Sequence, residues 1–449
     1  MESWLSHILG HLAEGRSQIP ATTIATSLRY CTQHLVSRPC SKCYPFGLTM
    51  IPHLRRSVGV ALRIILAAAC CLGIWSSWKL ARADYLFHQD TEQSVRAAIR
   101  LVPDGWEYYM RLAQFDRAHA LELLNTALRL NRYDAQADIE LGLQYEADGD
   151  FPRAERLLLD AFDVDHTYLP RWSLANYYLR RNNLPAFWTW ARSAANMPAD
   201  EVRPLFELCW RASPDPEKIT AEILNQKPEL IRQYIGFLLA KDQLSAVANV
   251  APRLVRNGDA ESDLPQLLSV VNRLVAVNDA ASANALWHLL MEQHWVVADT
   301  GVPNNANFVR DPLPVSFDWF LPEYPGLHSW PGSSGLETEF TGSQPEDCTV
   351  AEQIVALTPG NYTMMYSYRT SGISPATGIR WQIIDLKSNT VLTDSADLSG
   401  DTLKHAELAF SVPPGASLLR LRLAYRRALG TPRISGMLVV LSTQIQAHS

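Results

Sequence analysis

The sequence lacks the short motifs on which nucleotide binding, zinc proteolysis and serine hydrolysis usually depend. It contains no GxGxxG or GxxxxGK[ST] loop, no HExxH pair and no GxSxG elbow. Its formal net charge of -6 over 449 residues leaves no basic footprint for nucleic acid. We therefore predict a protein that is not an enzyme, with no catalytic residues, no cofactor, no bound metal and no nucleic-acid partner.

Cysteine is also scarce, and its placement excludes a disulfide framework. The seven cysteines are odd in number, and Cys209 and Cys348 fall in two different predicted domains. Cys40 and Cys43 have the CxxC spacing of a zinc or redox site, but no second ligand pair follows at the spacing that zinc requires. We expect no metal or redox site there.

One long apolar run stands out from this mixed composition. Residues 57–78 carry a single charge, Arg63, and include Trp75 and Trp78, which suit a membrane interface. Because twenty-two helical residues rise roughly 33 Å, this run is long enough to cross a bilayer core. The sequence therefore predicts one transmembrane helix over residues 57–78.

The residues around this helix indicate an orientation and leave two alternatives open. Arg55 and Arg56 favour a cytoplasmic tail over residues 1–56, with the bulk of the chain periplasmic or extracytoplasmic. Signal-peptide cleavage after Ala83 is one alternative, and translation from Met50 is the other. We expect an uncleaved single-pass anchor in the inner membrane of a bacterium.

A repeat of 34 residues organises the segment from 84 to 297. With Ala135 as its first position, small and large residues recur where two antiparallel helices approach closely. Acids of the same unit, among them Glu140 and Glu155, are expected to form a solvated outer face. The residues predicted to pack the repeats are Leu141, Gly142, Tyr145, Ala154, Leu158, Ala161, Trp172, Ala175 and Ala194.

This pattern resembles the tetratricopeptide repeat (TPR), most clearly in the unit that begins at Ala135. After residue 201 the helical periodicity continues while the repeat consensus fades, so we expect the solenoid to extend to residue 297. The resemblance implies a solenoid that holds a protein partner in a groove. Candidates for that groove are Trp172, Tyr178 and Trp188, unless these rings fill the core.

The composition changes again after Trp295. Residues 298–313 are rich in Pro, Asn and Gly and are predicted to form a linker. Between 314 and 449, runs such as 362–368 and 419–425 alternate with a period of two, and turn residues separate them. About eight such strands predict a β-sandwich.

The strand layout resembles the galactose-binding-like jelly rolls that include many carbohydrate-binding modules. The resemblance implies that exposed aromatic rings stack on sugars. Trp319, Tyr324 and Trp330 are the candidate glycan contacts, with burial in the core or at the solenoid–sandwich junction as the alternative. Four arginines give the penultimate strand a basic outer face, which we interpret as a solvated edge, with contact to an acidic polymer as the alternative. They are Arg420, Arg422, Arg426 and Arg427.

Together these patterns predict a multidomain α plus β protein. A single transmembrane helix is followed by an α-solenoid of TPR-like hairpins and then by an all-β jelly-roll-like sandwich. We expect a membrane-anchored scaffold for protein–protein interaction in a bacterial envelope assembly, such as polysaccharide synthesis or export. The alternative is a glycan-binding protein that acts through the sandwich, with the solenoid as a spacer.

Overall fold

A computed structural model places the helical and β regions in the predicted order. Fourteen α-helices precede two antiparallel β-sheets in the part of the chain that the structure describes, so the predicted fold class is confirmed. Met50, Cys40 and Cys43 lie outside that part, as does most of the predicted tail over residues 1–56. The described residues are 52–197, 202–224, 226–297 and 301–448.

The chain divides into two compact units, Met1–Arg82 and Ala83–Ser449. The first helix, α1 (Pro52–Phe87), is the one helix in the described ranges that is long and apolar enough to cross a membrane. The qualifying span, Val60–Phe87, extends beyond the predicted 57–78. Its large apolar side chains are exposed. Transfer of such side chains from water to the hydrocarbon of a bilayer is favourable.

The helices of the second unit pair into antiparallel hairpins, and most of them pack on their neighbours along the chain. A single turn of 3-10 helix, Arg117–His119, precedes α4. The helices are α2 (Glu92–Leu101), α3 (Trp106–Phe115), α4 (Ala120–Leu130), α5 (Ala135–Ala147), α6 (Phe151–Val164), α7 (Tyr168–Arg180), α8 (Leu184–Ala195), α9 (Arg203–Ala212), α10 (Pro216–Glu222), α11 (Pro228–Ala240), α12 (Leu244–Asn257), α13 (Ala260–Ala276) and α14 (Ala280–Glu292).

The turns inside the hairpins share one backbone device. The residue that reverses the chain has a positive φ at Gly149 (83°), Asn182 (53°), Asp242 (56°) and Asn278 (60°). Glycine, asparagine and aspartate tolerate this left-handed conformation better than other residues. This explains how Asn182 replaces the glycine that the repeat pattern expects at the α7–α8 turn.

Close packing between α5 and α6 depends on the absence of a side chain at Gly142. A Cβ placed there would lie 3.2 Å from Cγ of Leu158 and 3.3 Å from the carbonyl oxygen of Ala154. Leu158, Ala154 and Ala161 are fully buried. Burying one leucine stabilises a fold by about 1.5–3 kcal/mol, so this contact is a substantial part of the hairpin's stability.

Nine strands form the sandwich as two antiparallel sheets. The five-stranded sheet has the order β1-β2-β9-β4-β7, and the four-stranded sheet has the order β3-β8-β5-β6. The strands are β1 (Leu327–Gly332), β2 (Gly335–Thr341), β3 (Asp347–Ala356), β4 (Gly360–Ser371), β5 (Ile379–Asp385), β6 (Thr390–Asp394), β7 (Lys404–Val412), β8 (Leu418–Arg426) and β9 (Ser435–Ala447).

The predicted linker over residues 298–313 needs correction, because its described residues are part of the sandwich. Phe308 is buried in the sandwich core. The backbone N–H groups of Thr443 and Ile445 on β9 donate to the carbonyl oxygens of Ala306 (2.9 Å) and Val302 (2.7 Å). This segment therefore bonds to β9 beyond the first residues of β2. Its polar side chains gave the sequence the composition of a linker.

The sandwich closes the C-terminal end of the solenoid. Phe317 is buried with its ring 6.1 Å from that of Trp287 on α14. The side-chain oxygen of Asn272 on α13 accepts hydrogen bonds from the backbone N–H (2.7 Å) and hydroxyl (2.9 Å) of Ser316. Apolar and polar contacts thus join the two regions directly, without a spacer.

Candidate functional site

The acids of the central repeat join neighbouring hairpins rather than forming only a solvated face. Glu146 at the end of α5 accepts two hydrogen bonds from Arg180 of the next hairpin, at 2.8 and 2.6 Å. Glu155 on α6 accepts one from the hydroxyl of Tyr178, at 2.6 Å. The expected solvated face is therefore wrong for these two acids, because residues one repeat away satisfy them.

Glu140 makes a similar link toward the N-terminal side. Its carboxylate accepts hydrogen bonds from Gln114 on α3 and Gln136 on α5, both at 3.3 Å. Burial raises the pKa of Glu140, and the two amide donors oppose that shift. Asp150 has a local role, because its side chain accepts from the backbone N–H of Arg153 and caps α6. The contacts of Glu140 join neighbouring helices, and that of Asp150 caps its own helix.

Asp138 is a buried acid of the same repeat unit. It is buried on α5, and this burial, with the nearby charges of Asp160 and Asp134, raises its pKa to about 7. Its position within the α5–α6 hairpin makes it a pH-sensitive element of the repeat. Nothing in the sequence pattern distinguished it from the exposed acids around it.

The three aromatic candidates for a partner groove occupy different environments. Trp188 is only 7% exposed and packs against Phe187, so it belongs to the core and is removed from the candidate surface. Tyr178 is half-buried, and burial together with its bond to Glu155 raises its pKa. Trp172 is half-buried, and its indole N–H makes no hydrogen bond within the described residues.

Trp172 shares one face of α7 with two other half-buried residues, Asn176 and Leu179. Residues four and three positions apart in a helix lie one above the other on its surface. The face therefore combines an apolar ring, a leucine and an amide. Ala175 and Ala194, which were predicted to pack the same hairpin, are fully buried, and Trp172 and Leu179 pack against the core cluster that contains them.

The candidate glycan contacts do not form a common platform. Trp319 is 2% exposed, its ring centroid lies 4.8 Å from that of Phe308, and its indole N–H donates to the carbonyl oxygen of Asn305. This burial corrects the expectation that Trp319 faces solvent. Tyr324 packs partly against the sandwich core, whereas Trp330 on β1 is 38% exposed. Only Trp330 offers a ring face to solvent.

The basic strand face, which the sequence led us to interpret as a solvated edge, lines a groove of about 690 Å³ on the outer side of the four-stranded sheet. On β8, leucines at 419, 421 and 423 point into the core while the intervening arginines point outward. Arg422 lies between Glu352 on β3 and Gln382 on β5. The alternation was evident in the sequence, but the groove depends on strands β3, β5 and β6 beside it.

No metal centre is evident in the part of the chain that the structure describes. There, no group of three or more histidine, cysteine, aspartate or glutamate side chains is placed to hold a metal ion. Cys209 and Cys348 are buried free thiols, and burial raises the pKa of each. A thiol with a raised pKa is a poor nucleophile at neutral pH.

Comparison with known proteins gives matches among solved structures alone. No family model matches the chain, and no curated protein matches it. A CBM4 carbohydrate-binding module matches at 14% identity, with a TM-score of 0.26, over 32% of this chain and 99% of that one. YrrB, a TPR protein with an unusual peptide-binding site, matches at 11% identity, with a TM-score of 0.22, over 45% and 93%.

The type IV pilus biogenesis factor PilW matches at 13% identity, with a TM-score of 0.24, over 48% of this chain and 92% of that one. The structural neighbours thus include TPR proteins and carbohydrate-binding modules. At such identities the likeness concerns the fold alone.

Proposed function

We propose that this chain is a membrane-anchored scaffold without catalytic activity, whose solenoid binds a protein partner. The partner belongs to a bacterial envelope assembly, such as one for polysaccharide synthesis or export. One observation carries the proposal: a single hydrophobic cluster of buried side chains runs from Ala175 on α7 to Leu418 on β8. Solenoid and sandwich therefore present their surfaces as one continuous body, which suits a fixed docking platform.

The docking face that we propose is the one formed by Trp172, Asn176 and Leu179 on α7. The half-buried ring of Trp172 and the half-buried side chain of Leu179 give a partner apolar area. The amide of Asn176 beside it can pair with a peptide backbone. The bond between Arg180 and Glu146 keeps α7 in a constant position relative to α5.

The helix α1 supplies the anchor in this proposal. It places the N-terminal residues in the cytoplasm and the bulk of the chain outside the inner membrane. The helix continues without a break through Ala83, which is buried, so the residue at the alternative cleavage site lies within regular structure. This supports an anchor that remains attached to the solenoid.

The proposal is tested by crosslinking the full chain in cells and purifying it under denaturing conditions. We expect a defined protein partner that is lost with Trp172→Ala and with Leu179→Ala. Tyr133→Ala is the matched control, because this exposed aromatic residue lies outside the α7 face. Far-ultraviolet circular dichroism would show whether each variant retains its helices. Recovery of only lipid and bulk envelope protein, or a partner that all three variants retain, would contradict the proposal.

The second candidate function is glycan binding through the sandwich, with the solenoid as a spacer. The exposed ring of Trp330 on β1 is the observation that favours it. A glycan array with the detergent-solubilised chain should then give binding that Trp330→Ala weakens and that Phe320→Ala leaves unchanged. Phe320 is also an exposed aromatic residue, so it controls for loss of apolar surface in general. No binding at millimolar sugar would exclude this candidate.

A further inference from the structure

The outer face of the four-stranded sheet is a groove whose floor is built from arginines. Arg420 lies in register with Ile354 on β3 and Ile384 on β5. Val391 on β6 pairs with Ile384 and extends the same row across the sheet. The groove holds about 690 Å³, which is within the usual range of about 300–1,000 Å³ for ligand sites. Its five lining arginines are Arg380, Arg420, Arg422, Arg426 and Arg427.

Arg380 and Arg427 make the closer ion pairs among these arginines, with Asp397 at 3.0 Å and with Glu346 at 3.3 Å, and the other three arginines make longer ones. Arg420 lies 3.6 Å from Glu352, and Arg422 and Arg426 each lie 3.7 Å from Asp347. These separations exceed the 2.7–2.9 Å of a charge-assisted hydrogen bond. Each guanidinium carries five N–H donors in a planar arrangement. The groove therefore retains donors that a carboxylate can engage at two points.

Acceptors and amides lie among these donors. Asp347 and Asp394 line the same groove as the five arginines, and Asp397, Glu352 and Glu346 pair with three of these arginines from outside the lining. Gln382 and Asn389 add amide groups that both donate and accept. Such a mixture matches a ligand in which carboxylates alternate with many hydroxyl groups. We propose that this groove binds an acidic oligosaccharide, a chain that contains uronic-acid units.

Other ligand classes fit the groove less well. Its lining contains no aromatic ring, whereas single-stranded nucleic acid and neutral glycans are usually held by stacking on such rings. An acidic peptide supplies carboxylates without the hydroxyl groups that the amides and aspartates would bind. A uronic-acid chain meets each of these conditions.

The test is titration calorimetry on the full chain in a detergent that has no sugar headgroup. The probes are a short oligogalacturonate and its fully methyl-esterified form, which keeps the ring and hydroxyl groups but removes the charge. We expect binding of the acid form that is at least about tenfold tighter than binding of the ester, since two guanidinium–carboxylate bonds are lost. Binding of the acid form should weaken as the salt concentration rises.

Three variants assign the binding to the groove. Arg422→Gln and Arg426→Gln should each weaken binding of the acid form by about tenfold. Arg426 is exposed and outside the core, so its substitution leaves folding intact even if Arg422→Gln does not. Arg369→Gln is the matched control, because this arginine is exposed on β4 of the other sheet. It should bind as the unmodified chain does.

Four outcomes would overturn the proposal. They are equal binding of acid and ester, unchanged binding by Arg426→Gln, equal weakening by Arg369→Gln, and equal binding of a poly-glutamate peptide. The proposal is independent of the solenoid's protein partner and of Trp330. Loss of the partner in the crosslinking experiment would leave the calorimetric result unaffected, so the failure of one proposal is distinguishable from the failure of the other.

Discussion

Arg180 holds Glu146 by two hydrogen bonds, of 2.8 and 2.6 Å, across a separation of 34 residues. That separation equals the period of the repeat. The pair therefore joins equivalent positions of two successive repeats. Lys241 and Glu207 are also 34 residues apart and make the same kind of link further along, at 3.0 Å. Charged pairs at the repeat period therefore fix how one hairpin sits on the next.

Removing the charge of Glu146 should weaken the contact between these two hairpins. We expect Glu146→Gln to lower the free energy of unfolding by about 1 kcal/mol. The two hydrogen bonds of the pair strengthen it, whereas the partial exposure of Arg180 to solvent weakens it. Urea denaturation followed by circular dichroism measures this change. Asp148→Asn is the control, since Asp148 lies exposed in the adjacent turn. Equal effects of the two substitutions would show that the ion pair has no specific role.

Two glycines in helices should respond to substitution in opposite directions. Gly142→Val should destabilise the fold by about 2 kcal/mol or more, because a Cβ there meets Leu158 and the backbone of Ala154. Gly236→Ala on α11 should stabilise it by about 0.5–1 kcal/mol, because nothing lies within 4 Å of the added Cβ. Thermal unfolding would compare them. A stable Gly142→Val variant would contradict the close packing of α5 and α6.

The buried carboxyl of Asp138 should make stability depend on pH. Its pKa is raised to about 7 in the folded chain from an ordinary value of 3.8, so the folded state binds the proton more tightly. Stability is then full below pH 4 and falls as the pH rises to about 7. Asp138→Asn should remove this part of the dependence and stabilise the chain at pH 8 by on the order of 2 kcal/mol.

The measurement for Asp138 is the difference in unfolding free energy between variant and unmodified chain from pH 4 to pH 8. That difference should grow with pH. Asp163→Asn, at an exposed position of α6, controls for the loss of one negative charge. A difference that stays constant over this range would show that Asp138 is ionised throughout.

The junction between solenoid and sandwich should be sensitive to Phe317. Phe317→Ala removes a buried ring that packs on Trp287 and should cost about 3–5 kcal/mol. Because the lost contacts join two regions, we expect one thermal transition to separate into two in calorimetry. Phe320→Ala, at a ring that is 59% exposed, should leave a single transition. A single transition in both variants would argue that the two regions unfold together through other contacts.

Local patterns were sufficient to predict the classes of structure. The small residue at Gly142 with Ala154 and Ala161 indicated a hairpin, because only close helix approach needs small residues at that spacing. The alternation of Leu419, Arg420 and Leu421 indicated a strand with one buried face, because successive side chains point to opposite sides. Both patterns depend on residues near one another in the chain, and the structure has a hairpin and a strand at these positions.

Aromatic residues show where such reasoning ends. Trp319 and Trp330 both lie near the start of the sandwich, yet one is buried against Phe308 and the other is exposed. Neither ring belongs to a long alternating run that would give its direction. The burial of Trp319 depends on the segment around Phe308, which the sequence suggested was a linker and which instead packs against the sandwich core.

The sequence by itself determined the membrane-length helix, the helical repeat and the alternating strands, because each follows from the periodicity of apolar side chains along a short stretch. The tertiary structure alone decided what the polar and aromatic side chains do. Glu146 meets Arg180 34 residues away, and Arg422 meets Thr349 73 residues away. Because of such long-range pairing, acids of one helix bind residues of the next repeat, and the basic strand lies at the floor of a groove.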